Sequence, residues 1–287
     1  MYPREFEYAA PATIEEAVAI LADSPGAKVM AGGMSLLPLM KMRFLSPPLL
    51  VDIGRIEGLD TIEEHDDHIS VGALVRHSDT ATHPLIAEHA QALAEAAAYT
   101  GDVQVRNRGT TCGSMAHADI AADSPAAALA LGAVMVAQSV DGVRGITARD
   151  FFVDTLTTSL LENEVMIELR IPKAHSGEAS VYEKLGRRGG HSDYAVAGAA
   201  AWVAKSNGTV TDARVALTGV GTRPILAAGS METFIGSDGS TAAVEAAAAR
   251  APEGVTILED LYGSEEYKTH LASVYVKRAL TEAVARS

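Results

Sequence analysis

The chain has 287 residues, 48% hydrophobic, 21% charged and 5% aromatic, which is enough to bury sizeable cores without staples and excludes a disordered segment. A formal net charge of −14 repels a phosphate backbone, and no Lys/Arg cluster offsets it, so nucleic acid is excluded as a partner. The single cysteine, Cys112, excludes an internal disulfide and any all-cysteine zinc or iron–sulfur site in the chain.

The N-terminal stretch "MYPREFEYAA" has no apolar h-region, and the longest apolar run, Ala126 to Ala137, is well short of the roughly 20 residues of a membrane span. A cytoplasmic location is expected. "TIEEAVAILAD" predicts a first helix, with Thr13 and Glu16 as a capping box and Ile14, Ala17, Val18 and Leu21 on one face. "AKVMA" reads as a short strand that runs into Gly32, Gly33, Met34 and Ser35, and "LLPLMKMR" opens a helix or turn behind them. "LLVDIG" from Leu49 is the next buried strand.

The acidic stretch from Glu57 to His68 reads as a surface connection between two small α/β units. "HISVGA" predicts a strand, "LIAEHAQALAEAAAYT" one alanine-rich helix, and "SPAAALAL" a helix with Ser124 as N-cap and Pro125 at its first position. "EVMIELRIP" is a strand that Pro172 ends. Beyond it, "YAVAGAAAWVA" and "VTDARVAL" flank "KSNGT" as a β-hairpin, and helices are expected at Thr241 to Arg250 and Glu265 to Arg286. A domain boundary is placed near Ala174, giving 1–174, with subdomains of about 1–57 and 58–174, and 175–287.

Two glycine-bearing stretches carry chemical promise. In the first, a Gly-Gly-x-Ser turn lets backbone N–H groups converge on an anion with no Cβ in the way, and Ser35 adds a hydroxyl; a tight turn has the same sequence. In the second, Gly109, Thr110, Thr111, Cys112, Gly113 and Ser114 offer hydroxyls and amides, and Asp119 and Asp123 follow. A carboxylate there suits a sugar hydroxyl, or Asp123 and Ser124 cap the next helix. His117 is placed either to approach a bound nucleotide or to serve as a hydrogen-bonded structural histidine, and Arg106 and Arg108 either to support the loop or to face a partner. "EEHDDH", residues 63 to 68, lacks defined ligand spacing and reads as solvated charge rather than a metal site. No GxSxG elbow and no Walker loop is present.

Taken together, "AGGMSLLPLMKMR", "VRNRGTTCGSMAHADIAADSPA", "DFFVDTLTTSLLENEVMIELRIP" and "YEKLGRRGGHSDYAVAGAA" resemble the FAD-binding medium subunit of the molybdenum hydroxylases, the group of the carbon monoxide, quinoline and nicotine dehydrogenases. The resemblance runs from about Phe6 to the C-terminal helices. It implies an α+β chain: two small α/β subdomains forming an FAD-binding domain of the vanillyl-alcohol-oxidase-like kind, then a C-terminal α+β domain with an antiparallel sheet and helices. It also implies one pyrophosphate loop over Ala31, Gly32, Gly33, Met34 and Ser35, reaching Leu36, and a second over Thr110, Thr111, Cys112, Gly113 and Ser114. Asp123 matches a residue that binds the flavin's polyol or ribose hydroxyls, and Lys184 a lysine near the flavin ring that would steady charge on the reduced flavin. Two positions depart from the pattern: Met34 stands where the carbon monoxide enzymes have His, which favours a heteroaromatic substrate, and Cys112 replaces a loop glycine.

The function so implied is an oxidoreductase subunit that binds FAD, takes electrons from [2Fe–2S] clusters of a small subunit and passes them to an external acceptor. A large molybdopterin subunit would oxidise an N-heteroaromatic compound, carbon monoxide or an aldehyde, and the assembly would be a dimer of heterotrimers. The rivals are a stand-alone FAD-dependent oxidoreductase on the same fold and a binding module that has lost FAD.

Overall fold

The computed structural model describes residues 2–188 and 193–287; Gly189, Gly190, His191 and Ser192 of the fourth motif lie outside the described residues. The chain opens with β1 (Glu7–Ala9), α1 (Ile14–Asp23), β2 (Lys28–Met30), α2 (Leu36–Lys41) and β3 (Leu49–Asp52). The strands form a parallel sheet in the order β1-β3-β2, as strand–helix–strand crossovers require. Thr13 caps α1 through the Glu16 N–H at 3.2 Å, while the Glu16 carboxylate reaches back to the Ala12 N–H at 2.8 Å. The face of Ile14, Ala17, Val18 and Leu21 is buried, as the periodicity predicts.

The second unit runs through β4 (Ile62–Glu64), β5 (His68–Gly72), α3 (His77–Thr82), α4 (Pro84–His89), α5 (Gln91–Tyr99), α6 (Val103–Arg106), α7 (Thr111–His117) and α8 (Ser124–Leu131). It closes with β6 (Val134–Ser139), β7 (Gly142–Thr147), α9 (Ala148–Phe151), β8 (Phe152–Asp154), β9 (Thr157–Thr158) and β10 (Val165–Pro172). Its main sheet is antiparallel, in the order β4-β5-β10-β6-β7. The single alanine-rich helix expected from the sequence is two helices. Ala90, fully buried at φ −143° and ψ 48°, breaks the run and turns Ala92, Leu93, Ala96 and Ala97 into the core. Strand β7 escapes sequence reading because only Ile146 of its six residues is buried, leaving no alternation to detect.

The third sheet, β11 (Glu178–Gly186), β12 (Ala195–Ser206), β13 (Thr209–Thr218) and β14 (Ile225–Leu226), is an antiparallel meander followed by α10 (Ala228–Phe234), α11 (Thr241–Ala249) and α12 (Glu265–Arg286). Asn207 and Gly208, at φ 50° and 78°, make the two-residue turn that "KSNGT" predicts. Strand β12 is apolar from Ala195 to Ala204 because it is covered on both faces there. Ala197, Ala199, Ala201 and Val203 enter the core under α12, and Ala200 and Trp202 enter the core shared with α5 and α8.

Helix α7 ends on Ala118, a non-glycine residue in the left-handed region at φ 50° that turns the chain towards this third sheet. Ala118→Gly removes the Cβ penalty of that conformation and is expected to raise stability by about 0.5–1 kcal/mol in urea unfolding; a destabilised variant contradicts the assignment.

Candidate functional site

A cleft of about 720 Å³ opens between the first parallel sheet and the second unit, lined by Ala31, Gly32 and Met34 on one wall and by Arg108 and Thr110 on the other. Both glycine-bearing stretches therefore meet at one place. The reason for Gly32 is steric: a Cβ there overlaps the Arg108 carbonyl oxygen and lies 2.7 Å from the Gly109 Cα. The missing side chain lets the two loops touch backbone to backbone. Gly33 serves the turn itself, at φ 72°. The amides of Gly32, Gly33, Met34, Ser35 and Leu36 donate to no group among the described residues, and Ser35 makes no side-chain cap at α2. Free N–H groups of consecutive residues at the mouth of a cleft suit an anion.

The second stretch is a capped helix start rather than an open loop. Thr110 is the N-cap of α7 and accepts from the Gly113 N–H at 3.1 Å; the Thr111 N–H donates to the Val75 carbonyl at 3.0 Å. The Thr111 hydroxyl is buried against that of Thr80 at 2.7 Å, so it is turned inward from the cleft. Cys112 is buried as well, with Sγ 3.4 Å from the Val71 carbonyl oxygen, and burial pushes its thiol well above the usual range. Its side chain fills core behind the helix, which is why a residue other than glycine fits here. The hydroxyl of the half-buried Ser114 has no hydrogen-bond partner among the described residues, and the amides of Thr110 and Cys112 are likewise free. His117, in the last turn of α7, is partly buried, and that burial lowers its pKa.

Two residues expected near the flavin, Asp123 and Lys184, are held by partners within the protein. Asp123 is 4% exposed; its Oδ1 accepts from the Tyr182 hydroxyl at 2.5 Å and its Oδ2 from Lys184 Nζ at 2.8 Å. Burial lifts its pKa to about 6 against the pull of Lys184. Nor does Asp123 cap α8 with its side chain, although it rather than Ser124 holds the N-cap position. Lys184 has a fully buried side chain, and its three N–H donors go to Asp123 and to the carbonyls of Tyr99 (3.0 Å) and Asp193 (2.5 Å). Its charge is balanced within the protein by the Asp123 carboxylate. Tyr182, two residues before Lys184 and thus on the same side of β11, is the partner that sequence reasoning missed, though that spacing of two was its signal. Asp52, Arg55 and Arg76 also line the cleft without a sequence signal.

"EEHDDH" is the β4–β5 hairpin, where His68 pairs with Asp67 at 2.7 Å and Lys173 with Glu64 at 2.5 Å. Among the described residues no group of three His, Cys, Asp or Glu side chains is placed to hold a metal, and no helix is long and apolar enough to cross a membrane.

The cleft, the free amides and the strand–glycine–helix connection define a chain that binds an anionic, nucleotide-like cofactor. Comparison with known proteins gives the class its name. Residues 4–174 match the family described as the FAD binding domain in molybdopterin dehydrogenase, and residues 180–283 match the CO dehydrogenase flavoprotein C-terminal domain. The chain belongs to the FAD-binding medium subunits of the molybdenum hydroxylases, oxidoreductases of the carbon monoxide dehydrogenase type. It is 42% identical over its whole length to the carbon monoxide dehydrogenase medium chain of Hydrogenophaga pseudoflava, covering 99% of that protein. It is 37% identical to subunit alpha of the 6-hydroxypseudooxynicotine dehydrogenase complex of Paenarthrobacter nicotinovorans, covering 100% of this chain and 97% of the relative. Quinoline 2-oxidoreductase from Pseudomonas putida 86 superposes with a TM-score of 0.93 at 34% identity, over 100% of this chain and 99% of that one.

Two outcomes follow from this geometry. Gly32→Ala is expected to push the two loops apart and weaken FAD binding by at least about tenfold in a fluorescence titration; wild-type affinity contradicts the backbone contact. Lys184→Met leaves Asp123 buried without its cation and is expected to cost roughly 3–5 kcal/mol near neutral pH. The Asp123 pKa in the folded chain is already above its unfolded value, so the stability this group lends is present at low pH and is lost as pH rises through about 6. The Lys184→Met deficit should accordingly be larger at about pH 8 than at about pH 5 in urea unfolding; the reverse order refutes the pairing.

Proposed function

We propose that this chain is the terminal electron-carrying subunit of a three-chain molybdenum hydroxylase, with the FAD diphosphate held where the two loops meet. The observation that carries the reading is the convergence of both loops, with their free amides, on one cleft. The backbone of Ala31 to Leu36 and the Thr110–Ser114 helix start would bind the diphosphate, with the Ser35 and Ser114 hydroxyls as further donors. Cys112 and Thr111 would support from behind, and His117 stands at the far end of α7. FAD, when bound, supplies the capacity to accept electrons singly and release them in pairs. The protein's part is to fix the cofactor by its phosphates and keep its environment constant. We place the division between the FAD-binding and C-terminal parts near Ala174, which the family matches ending at 174 and resuming at 180 support.

One cysteine cannot hold a cluster, so the electron donors must lie on other chains: a small subunit with two [2Fe–2S] clusters and a large molybdopterin subunit, assembled as a dimer of heterotrimers. Electrons would leave from this chain to an external acceptor. The substrate is oxidised on the large subunit, outside this chain. Relatives named for carbon monoxide and for 6-hydroxypseudooxynicotine align with it at 42% and 37% identity, so the medium chain does not follow the substrate closely. We assign carbon monoxide, an N-heteroaromatic compound or an aldehyde as the substrate class. The rival is a stand-alone FAD-dependent oxidoreductase; the buried acid–base pair, Asp123 with Lys184, is closed on itself and offers it no catalytic acid.

The purified chain is expected to bind about one FAD noncovalently and to contain neither molybdenum nor iron, by absorption spectroscopy and metal analysis. In its native host it should co-purify with a cysteine-rich small chain and a large chain. A chain that stays colourless with added FAD refutes the cofactor site, and recovery as a lone, catalytically competent oxidoreductase refutes the three-chain assembly.

A further inference from the structure

The segment that joins α7 to α8 lies across the strand ends of the third sheet. The Gly219 N–H donates to the Ile120 carbonyl at 2.8 Å and the Ala195 N–H to the Ala121 carbonyl at 3.1 Å. The Thr218 hydroxyl lies 3.1 Å from the Ile120 carbonyl oxygen and 2.7 Å from that of Ala122. Tyr182 and Lys184 then hold the Asp123 carboxylate. Three strands, β11, β12 and β13, thus grip four consecutive residues. On the near side of this segment is Ala118, held in the left-handed region at φ 50°, and immediately before it is α7, whose first turn carries Thr110 to Ser114. A non-glycine residue stays in that conformation only where its surroundings impose it.

The Tyr182 contact has a built-in allowance. Its side chain is 1% exposed, and a Cβ on Gly198 of the neighbouring strand would lie 2.8 Å from the Tyr182 hydroxyl and 3.1 Å from Lys184 Cβ. The hydroxyl reaches Asp123 because position 198 carries no side chain. Gly198 lies in the C-terminal part, away from the cleft.

We propose that Tyr182, Thr218 and Gly198 are positioning residues for FAD: the C-terminal sheet sets the orientation of α7, and hence of the second phosphate-binding segment, by gripping Ile120 to Asp123. FAD affinity then depends on a domain that need not touch the diphosphate. This inference rests on the reading that Thr110 to Ser114 bind the cofactor.

The test uses the full chain, titrated with FAD and followed by flavin fluorescence and by visible circular dichroism of the bound flavin. Tyr182→Phe and Thr218→Val each remove a hydroxyl at nearly constant shape, and Gly198→Ala displaces the Tyr182 hydroxyl. The control is Ser180→Ala, which deletes another buried hydrogen bond between the two parts, from the Ala92 N–H to Ser180 Oγ at 3.1 Å, without touching the gripped segment. Tyr182→Phe and Thr218→Val are expected to raise the FAD dissociation constant about tenfold and to alter the flavin dichroism, with Thr218→Ser restoring both and Ser180→Ala leaving both at wild-type values. Should Tyr182→Phe fail to fold, the Thr218 pair carries the same test. Affinity within about twofold of wild type for Thr218→Val overturns the proposal, as does an equal loss in Ser180→Ala. A wild-type chain that binds no FAD overturns instead the cofactor reading on which it rests.

Discussion

The contact of Gly32 with the backbone of Arg108 and Gly109 is the constraint on which the site depends. Two units separated by some 75 residues of chain approach so closely that no side chain fits between them, and the amides of residues 32 to 36 remain free as a consequence. A side chain at 32 would hold the two walls apart by its own radius and leave the amides facing water. The cleft is therefore a product of backbone packing rather than of its side chains.

The second constraint is the small-residue packing around β12. Alanines at 197, 199, 200 and 201 are fully buried, and the strand faces one core on each side. Small side chains bring α12 against one face and α5 and α8 against the other. Such packing leaves little freedom for the two parts to slide, because interiors of native density transmit displacement rather than absorb it. Arg214 adds a polar tie across the same seam: it stacks on Trp202 at 3.8 Å and donates to the Ala130 carbonyl at 2.7 Å.

Buried charges follow one pattern. Lys184 pairs with Asp123, Lys268 with Asp260, and Glu164 with Arg144; in each case the buried member finds further backbone partners. Desolvated ions are tolerated only when their donors or acceptors are satisfied, and each of these groups meets that requirement within the protein. The net charge of −14 is carried by the exposed remainder, and Arg55, Arg76 and Arg108 line the cleft together with Asp52, Asp60 and Asp79.

The sequence by itself determined the elements whose signals are local. These include the Thr13 cap, the Asn207-Gly208 hairpin, the C-terminal helices 241–249 and 265–286, and the strands at 28–30, 49–52 and 165–172. Periodicity and turn chemistry act over a few residues, so they can be read from a few residues. It also identified both glycine-bearing stretches, because glycines are conspicuous between apolar segments. Only the tertiary structure decided which group each stretch faces. Thr111 and Cys112 point into the core and Thr110 caps a helix, while Asp123 and Lys184, individually suited to a cofactor, are bound to each other across 61 residues. Whether a carboxylate meets a ligand or a lysine depends on which strand folds over it, and that is set by the packing of β11 on α5 and of β12 and β13 on α8 rather than by any spacing along the chain.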